Sequence, residues 1–117
     1  MAERALSMNL ATLRNGWTFA QMVEGCRRQG ISAVTPWRDQ VDAVGLNEAA
    51  RILEANDMRV TGLCRGGMFP ADTAKGRRSA IEDNLRAIDE AATLGAQCLV
   101  MVVGGLPGLR GEKGEIL

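Results

Sequence analysis

The chain has 117 residues, enough for one domain and too few for two full ones. Its hydrophobic (46%) and charged (24%) contents match ordinary globular proteins and exclude the disordered, collagen-like and low-complexity classes. Fourteen Lys plus Arg balance fourteen Asp plus Glu, so no net field draws the chain to nucleic acid or an anionic membrane; the absence of histidine removes the commonest metal ligand and every Ser-His or Cys-His pair.

Residues 5–13 alternate, with Leu6, Met8 and Leu10 on one side and Ser7, Asn9 and Ala11 on the other, which predicts a strand. Asn15-Gly16 breaks it, and Thr18 with Gln21 three positions later forms a capping box opening a helix. Phe19, Met22, Val23 and Cys26 make its apolar stripe, Arg27 and Arg28 complement the carbonyl end of its dipole, and Gly30 stops it. A β-rich run over 31–37 predicts the second strand. Leu46 to Asn56 carries Leu46, Ala49, Ala50 and Leu53 at helical spacing, and 58–64 returns to the strand pattern. A glycine-marked loop over 65–76 leads to a helix over 78–94, whose core face is expected to be Ile81, Leu85, Ile88 and Ala92, with Gly95 as its stop. Residues 98–103 are continuously apolar, as a strand covered on both faces must be, and Gly104, Gly105, Pro107 and Gly108 end the order.

About four strands alternating with three helices is the rhythm of parallel βαβ crossovers, hence an α/β fold. Two architectures compete: an open, doubly wound sheet, and the N-terminal half of a (β/α)8 TIM barrel of about 250 residues. The fourth strand has no helix after it, which favours residues 1–117 as one partial barrel domain with the other half absent. Half a barrel has two raw strand edges, inviting self-association. Cys26, Cys64 and Cys98 are too few and too widely spaced for a disulfide framework or a CxxC pair, so a reducing, cytoplasmic location is expected. No basic-then-apolar leader opens the chain and no run of about eighteen apolar residues occurs, so neither export nor a membrane is expected.

The strings SMNLATL (7–13), TPWR (35–38), LCRGGMFP (63–70) and CLVMVVGGLP (98–107) each fall at the carboxyl end of a predicted strand. In that order they resemble the sugar phosphate isomerase/epimerase family, the xylose isomerase-like TIM barrels. The resemblance spans about residues 6–108. It implies a parent enzyme that binds a divalent metal through carboxylates and a histidine of later strands, and moves protons with two glutamates through an enediolate-like intermediate. None of those positions lies in 1–117, so the resemblance assigns no catalytic residue and no bound metal to this stretch. Endonuclease-IV-like barrels and true xylose isomerases use histidines in the early strands, which this chain lacks. Residues 109–117 do not align with the family's next helix.

On a barrel, C-terminal strand ends line the mouth, which singles out Asn9, Trp37, Arg65 with Gly66, and Gly104 as substrate-binding candidates. Arg65 offers paired N–H donors to a phosphate or carboxylate, with Gly66-Gly67 letting backbone come close; the alternative is a salt bridge to a neighbouring loop. Trp37 offers an apolar wall to a sugar face or covers the rim. Asn9 bonds substrate or its own backbone. The Gly104–Gly108 turn matches neither GxGxxG nor GxxxxGK[ST] and reads as a plain turn before an anion cradle. Cys64 reads as a small buried filler, and Arg77-Arg78 and Glu112–Glu115 as solvated surface. The partner expected is a small sugar or related hydroxy-carbonyl compound, with no nucleic acid and no membrane. The rival from another class is a noncatalytic doubly wound module in which Arg65 holds an anion; a strand order of 2-1-3-4 would favour it.

Overall fold

The computed structural model describes residues 6–105. Strand β1 (Met8–Asn9) is followed by a 3-10 turn over Leu10–Leu13. The predicted strand over 5–13 is therefore cut short. The Asn9 side-chain oxygen accepts the Ala11 N–H at 3.0 Å and the Thr12 hydroxyl donates to the Asn9 carbonyl at 2.7 Å, local bonds that bend the backbone out of extension. Helix α1 (Phe19–Arg28) opens on the predicted capping box: the Gln21 N–H donates to the Thr18 hydroxyl (3.1 Å) and the Thr18 N–H to the Gln21 side chain (2.9 Å). Its stripe of Phe19, Met22, Val23 and Cys26 is buried.

Strand β2 (Ala33–Thr35) leads through buried Pro36 and Trp37 to helix α2 (Arg38–Val44), an element absent from the sequence reading. Gly45, at φ +92°, separates it from helix α3 (Leu46–Ala55), which buries Ala49, Ile52 and Leu53. The third predicted strand forms as two pieces, β3 (Arg59–Val60) and β4 (Leu63–Gly67). Helix α4 (Ala74–Leu94) starts four residues earlier than predicted, where the Thr73 hydroxyl accepts the Gly76 N–H at 3.0 Å. It ends at left-handed Gly95 as predicted, and β5 (Leu99–Val102) closes the order.

All pairings are parallel and sequential: β1 to β2 to β3, and β4 to β5. The two groups join through the Trp37–Cys64 bridge and through backbone bonds from the Cys64 N–H to the Pro36 carbonyl (3.1 Å) and the Gln97 N–H to the Val60 carbonyl (3.0 Å). The result is one curved sheet of four barrel strands in chain order, a partial TIM barrel. The doubly wound rival, which requires a reversal of strand order, is overturned.

The helix layer and the sheet's outer face enclose one core, in which Leu10, Val23, Val34, Ala49 and Leu63 lose all exposure. Each large side chain buried in this way contributes about 1.5–3 kcal/mol. Two predictions about the core fail. Ile81, Leu85 and Ile88 are 53%, 58% and 54% exposed, Ala92 is exposed as well, and α4 instead buries Asn84, Ala87, Ala91 and Leu94. The fourth strand is not covered on both faces either: Val100, Met101 and Val102 are exposed. The periodicity was apolar on two flanks of α4, and the flank with the smaller side chains is the one that approaches the sheet closely enough to be buried. No described helix is long and apolar enough to cross a membrane.

Candidate functional site

Strand alternation decides which side chains face the inside of the arc. Met8, Leu10, Val34 and Val60 pack with the helices, so Ser7, Asn9, Thr35 and Thr61 face the other way. Three hydroxyls meet there, from just before β1, the end of β2 and just after β3: Ser7 and Thr61 at 2.6 Å, and Thr35 and Thr61 at 2.9 Å. Cys98 donates to the Thr61 carbonyl at 3.4 Å.

At the carboxyl ends of the strands lies an open cavity of about 480 Å3, lined by Arg14, Trp37, Arg38, Asp39, Cys64, Arg65, Gly66, Gly67, Met68 and Asp83. Trp37 is half-buried on its wall; its indole N–H donates to the Asn9 side-chain oxygen at 2.8 Å, so Asn9 is spent on holding Trp37 and on capping Ala11. The Arg14 guanidinium lies 5.5 Å over the Trp37 ring and makes a two-bonded ion pair with Asp39 (2.5 and 2.9 Å). That pairing holds the Asp39 carboxyl below its usual range. Buried Gln40 braces the wall from behind, donating to the Leu10 carbonyl at 2.9 Å and accepting the Trp37 N–H at 3.1 Å.

Arg65 owes its position to a β-bulge. Cys64 pairs with Val100 and Gly66 with Met101, so β4 spends two residues where β5 spends one, and the extra residue is Arg65. A bulge re-aims a side chain, and Arg65 is exposed between buried Cys64 and buried Gly66. Among the described residues the Arg65 side chain joins no ion pair. Its neighbour Arg38 is the opposite case. It bonds Asp83 twice (2.9 and 3.0 Å), Glu90 twice (3.0 and 3.1 Å) and the Arg65 carbonyl at 3.4 Å, and its side chain is 19% exposed. The two carboxylates raise the Arg38 pKa further and Arg38 holds that of Asp83 down. The cavity lining thus carries three arginines against two aspartates, with Arg65 as the cation left uncompensated.

Gly66 has a packing reason to be glycine: a Cβ there would stand 2.8 Å from the Asn84 side-chain oxygen and from the Met101 sulfur. Asn84 is buried and bonds both backbone groups of Gly67, accepting its N–H at 2.5 Å and donating to its carbonyl at 2.8 Å. Gly104, at φ +97°, sits against Met68 at the far side of the mouth. Leu106, Pro107 and Gly108 of the predicted turn, and the 109–117 segment, lie outside the described residues. Cys64 is buried, and burial pushes its thiol pKa up. Arg14, Asp39, Asp83 and Asn84 did not stand out in sequence, and Arg38 did so only within TPWR, because each acts across 17 or more positions.

No three His, Cys, Asp or Glu side chains among the described residues come together as a metal site, and the mouth carboxylates Asp39 and Asp83 are both held by arginines. The described residues therefore do not fit a divalent cation.

No family model and no curated protein matches the chain. Solved structures do. Protein SMc04130 from Sinorhizobium meliloti 1021 superimposes with a TM-score of 0.86 at 62% identity, over 89% of this chain and 38% of that one. A xylose isomerase-like TIM barrel/4-hydroxyphenylpyruvate dioxygenase fusion protein superimposes with a TM-score of 0.68 at 13% identity, over 86% of this chain and 16% of that one. The second likeness establishes the fold, a portion of a TIM barrel. The chain spans well under half the length of either structure.

Proposed function

We infer that the chain is the substrate-binding arc of an enzyme that isomerises or epimerises a sugar, sugar phosphate or related hydroxy-carbonyl compound by enediolate-type proton transfer. The observation that carries this reading is the bulge that sets Arg65, which joins no ion pair among the described residues, beside the braced face of Trp37 at the C-terminal mouth of a barrel arc. A guanidinium suits a phosphate or carboxylate and an indole suits the apolar face of a sugar ring. Arg65, with Gly66 and Gly104 at the margins, binds the substrate's anionic end; Trp37, held in place by Asn9, orients its ring. The divalent cation and the proton-moving carboxylates of such a reaction belong to residues beyond 117. The likeness to a xylose isomerase-like barrel supports the architecture. Unpaired Cys26, Cys64 and Cys98 fit a cytoplasmic protein.

The test is a chimera in which this chain replaces the matching stretch of the Sinorhizobium meliloti protein. It is incubated in D2O with Mg2+ or Mn2+ and a panel of ketoses and ketose phosphates, and exchange of the proton next to the carbonyl is followed by NMR. Exchange with at least one ketose is expected, and Arg65→Ala should raise KM for a phosphorylated substrate by about tenfold, the effect of losing one charged hydrogen-bonding group. A folded chimera that exchanges no substrate proton would refute the reading.

A further inference from the structure

Side chains alternate between the two faces of a sheet along each strand. On β4, Leu63 is turned into the core and Cys64 into the mouth, so an uninterrupted strand would turn Arg65 outward beneath α4, opposite Met101. The bulge prevents this. Gly66 stands opposite Met101 instead, and a Cβ on it would meet the Asn84 oxygen and the Met101 sulfur at 2.8 Å and Leu99 at 3.1 Å, all on the outward side. Arg65 is the residue left over, and it lines the mouth. The two arrangements differ by one residue in register, and such a slip exchanges the face of every side chain it moves.

One side chain discriminates between them. Asn84 of α4 is buried, accepts the Gly67 N–H at 2.5 Å and donates to the Gly67 carbonyl at 2.8 Å and to the Ala80 carbonyl of its own helix at 2.7 Å. Its oxygen and both of its N–H donors are therefore engaged, and the bond to Ala80 fixes the amide against α4. A slip that carried Arg65 into the place of Gly66 would break the two bonds to Gly67 and drive a long side chain into the space Asn84 fills. Arg38 also reaches this stretch, but only at the Arg65 carbonyl and at 3.4 Å. We propose that Asn84 is a positioning residue for Arg65: by bonding Gly67 and filling the space outside Gly66 it keeps the bulge at residue 65, and so keeps the guanidinium in the mouth. The consequence for binding rests on the reading of Arg65 as the contact for an anionic substrate; the control of register does not.

The full 117-residue chain, isotopically labelled, is compared with Asn84→Ala by NMR. In the parent, contacts across the strands set Gly66 opposite Met101. Asn84→Ala should give a second set of amide signals for residues 65–68 with Arg65 opposite Met101, because losing two hydrogen bonds and the steric block shifts the register equilibrium by about tenfold. Turning a guanidinium under α4 still opposes the slip, so both registers are populated. Leu94→Ala, which truncates a buried side chain at the C-terminal end of the same helix, should keep the single parental register. Asn84→Ser, which retains one hydrogen-bonding group, replaces the alanine variant if that does not fold. In titrations with inorganic phosphate followed by amide shifts, Arg65→Ala should weaken binding by about tenfold. Asn84→Ala should weaken it by a smaller factor, and the double variant no further than Arg65→Ala alone, since Asn84 acts through Arg65. A single parental register in the folded Asn84 variants, or losses that add in full, would overturn the proposal. A second register, with phosphate affinity indifferent to Arg65→Ala, would sink the anion reading and leave this one standing.

Discussion

Asn84 shows how much a single amide can fix. It supplies Gly67 with both of the bonds a neighbouring strand would give, and it occupies the space a Gly66 side chain would need. Asn84→Leu leaves the Gly67 N–H and carbonyl buried without partners, which costs about 1–3 kcal/mol for each group. Urea denaturation should record that loss as a lower midpoint. Gly66→Ala forces a Cβ against the pinned amide and should cost about 1–3 kcal/mol as an overpacking change. Arg38 governs a pH dependence. Because Arg38 lowers the Asp83 pKa in the folded chain, the pair's stabilisation is in place above the unfolded carboxylate value of about 3.9 and is lost as pH falls through the lower, folded one. Thermal melts between pH 5 and pH 2 should fall less steeply for Arg38→Met than for the parent chain, with the parent the more stable at pH 5.

Elements whose signals are local could be read from sequence, and those decided by distant contacts could not. Helix α1 is the first kind: the Thr18 cap, the stripe and the Gly30 stop all lie within thirteen residues, and all are realised. Thr18→Ala should cost about 0.5–2 kcal/mol, seen as a lower melting temperature, because one helix-opening N–H loses its acceptor. Helix α2 is the second kind. Its seven residues carry no strong period, and it is held by Gln40 on Leu10 and Arg38 on α4. The α4 stripe misled because Ile81, Leu85 and Ile88 are the more hydrophobic flank, whereas the sheet takes the flank with alanines. Of the mouth, the strand ends at Asn9 and Trp37 were legible because they follow from strand order; Arg65, expected in the loop after its strand, lies instead within β4. The bulge, the Arg14–Trp37 stack and the arginine pairings were not, since register and partner choice exist only once strands and helices meet.

At the scale of the molecule, the two sheet segments share one core, and Leu63 sits at their junction with no exposure. Its loss should be felt throughout. Leu63→Ala is expected to lower stability by about 2–5 kcal/mol, a large share of the 5–15 kcal/mol typical of a whole domain. A single shared unfolding transition for β1–β3 and β4–β5 in hydrogen exchange would accompany it. The sequential parallel order also explains why most of the large apolar residues left outside, Ile81, Leu85, Ile88 and Val100–Val103, lie on α4 and at β5, with Leu6 and Trp17 at the β1 end: an arc of a cylinder has a seam at each edge.

The indole of Trp37 is bonded to β1 through Asn9, lies under Arg14, and opens a helix whose next residue clasps α4. The only other tryptophan, Trp17, is exposed. Replacing Trp17 with phenylalanine would leave one natural fluorophore at the rim, so a molecule settling in the mouth would announce itself as a change in emission colour and quenching, without any label.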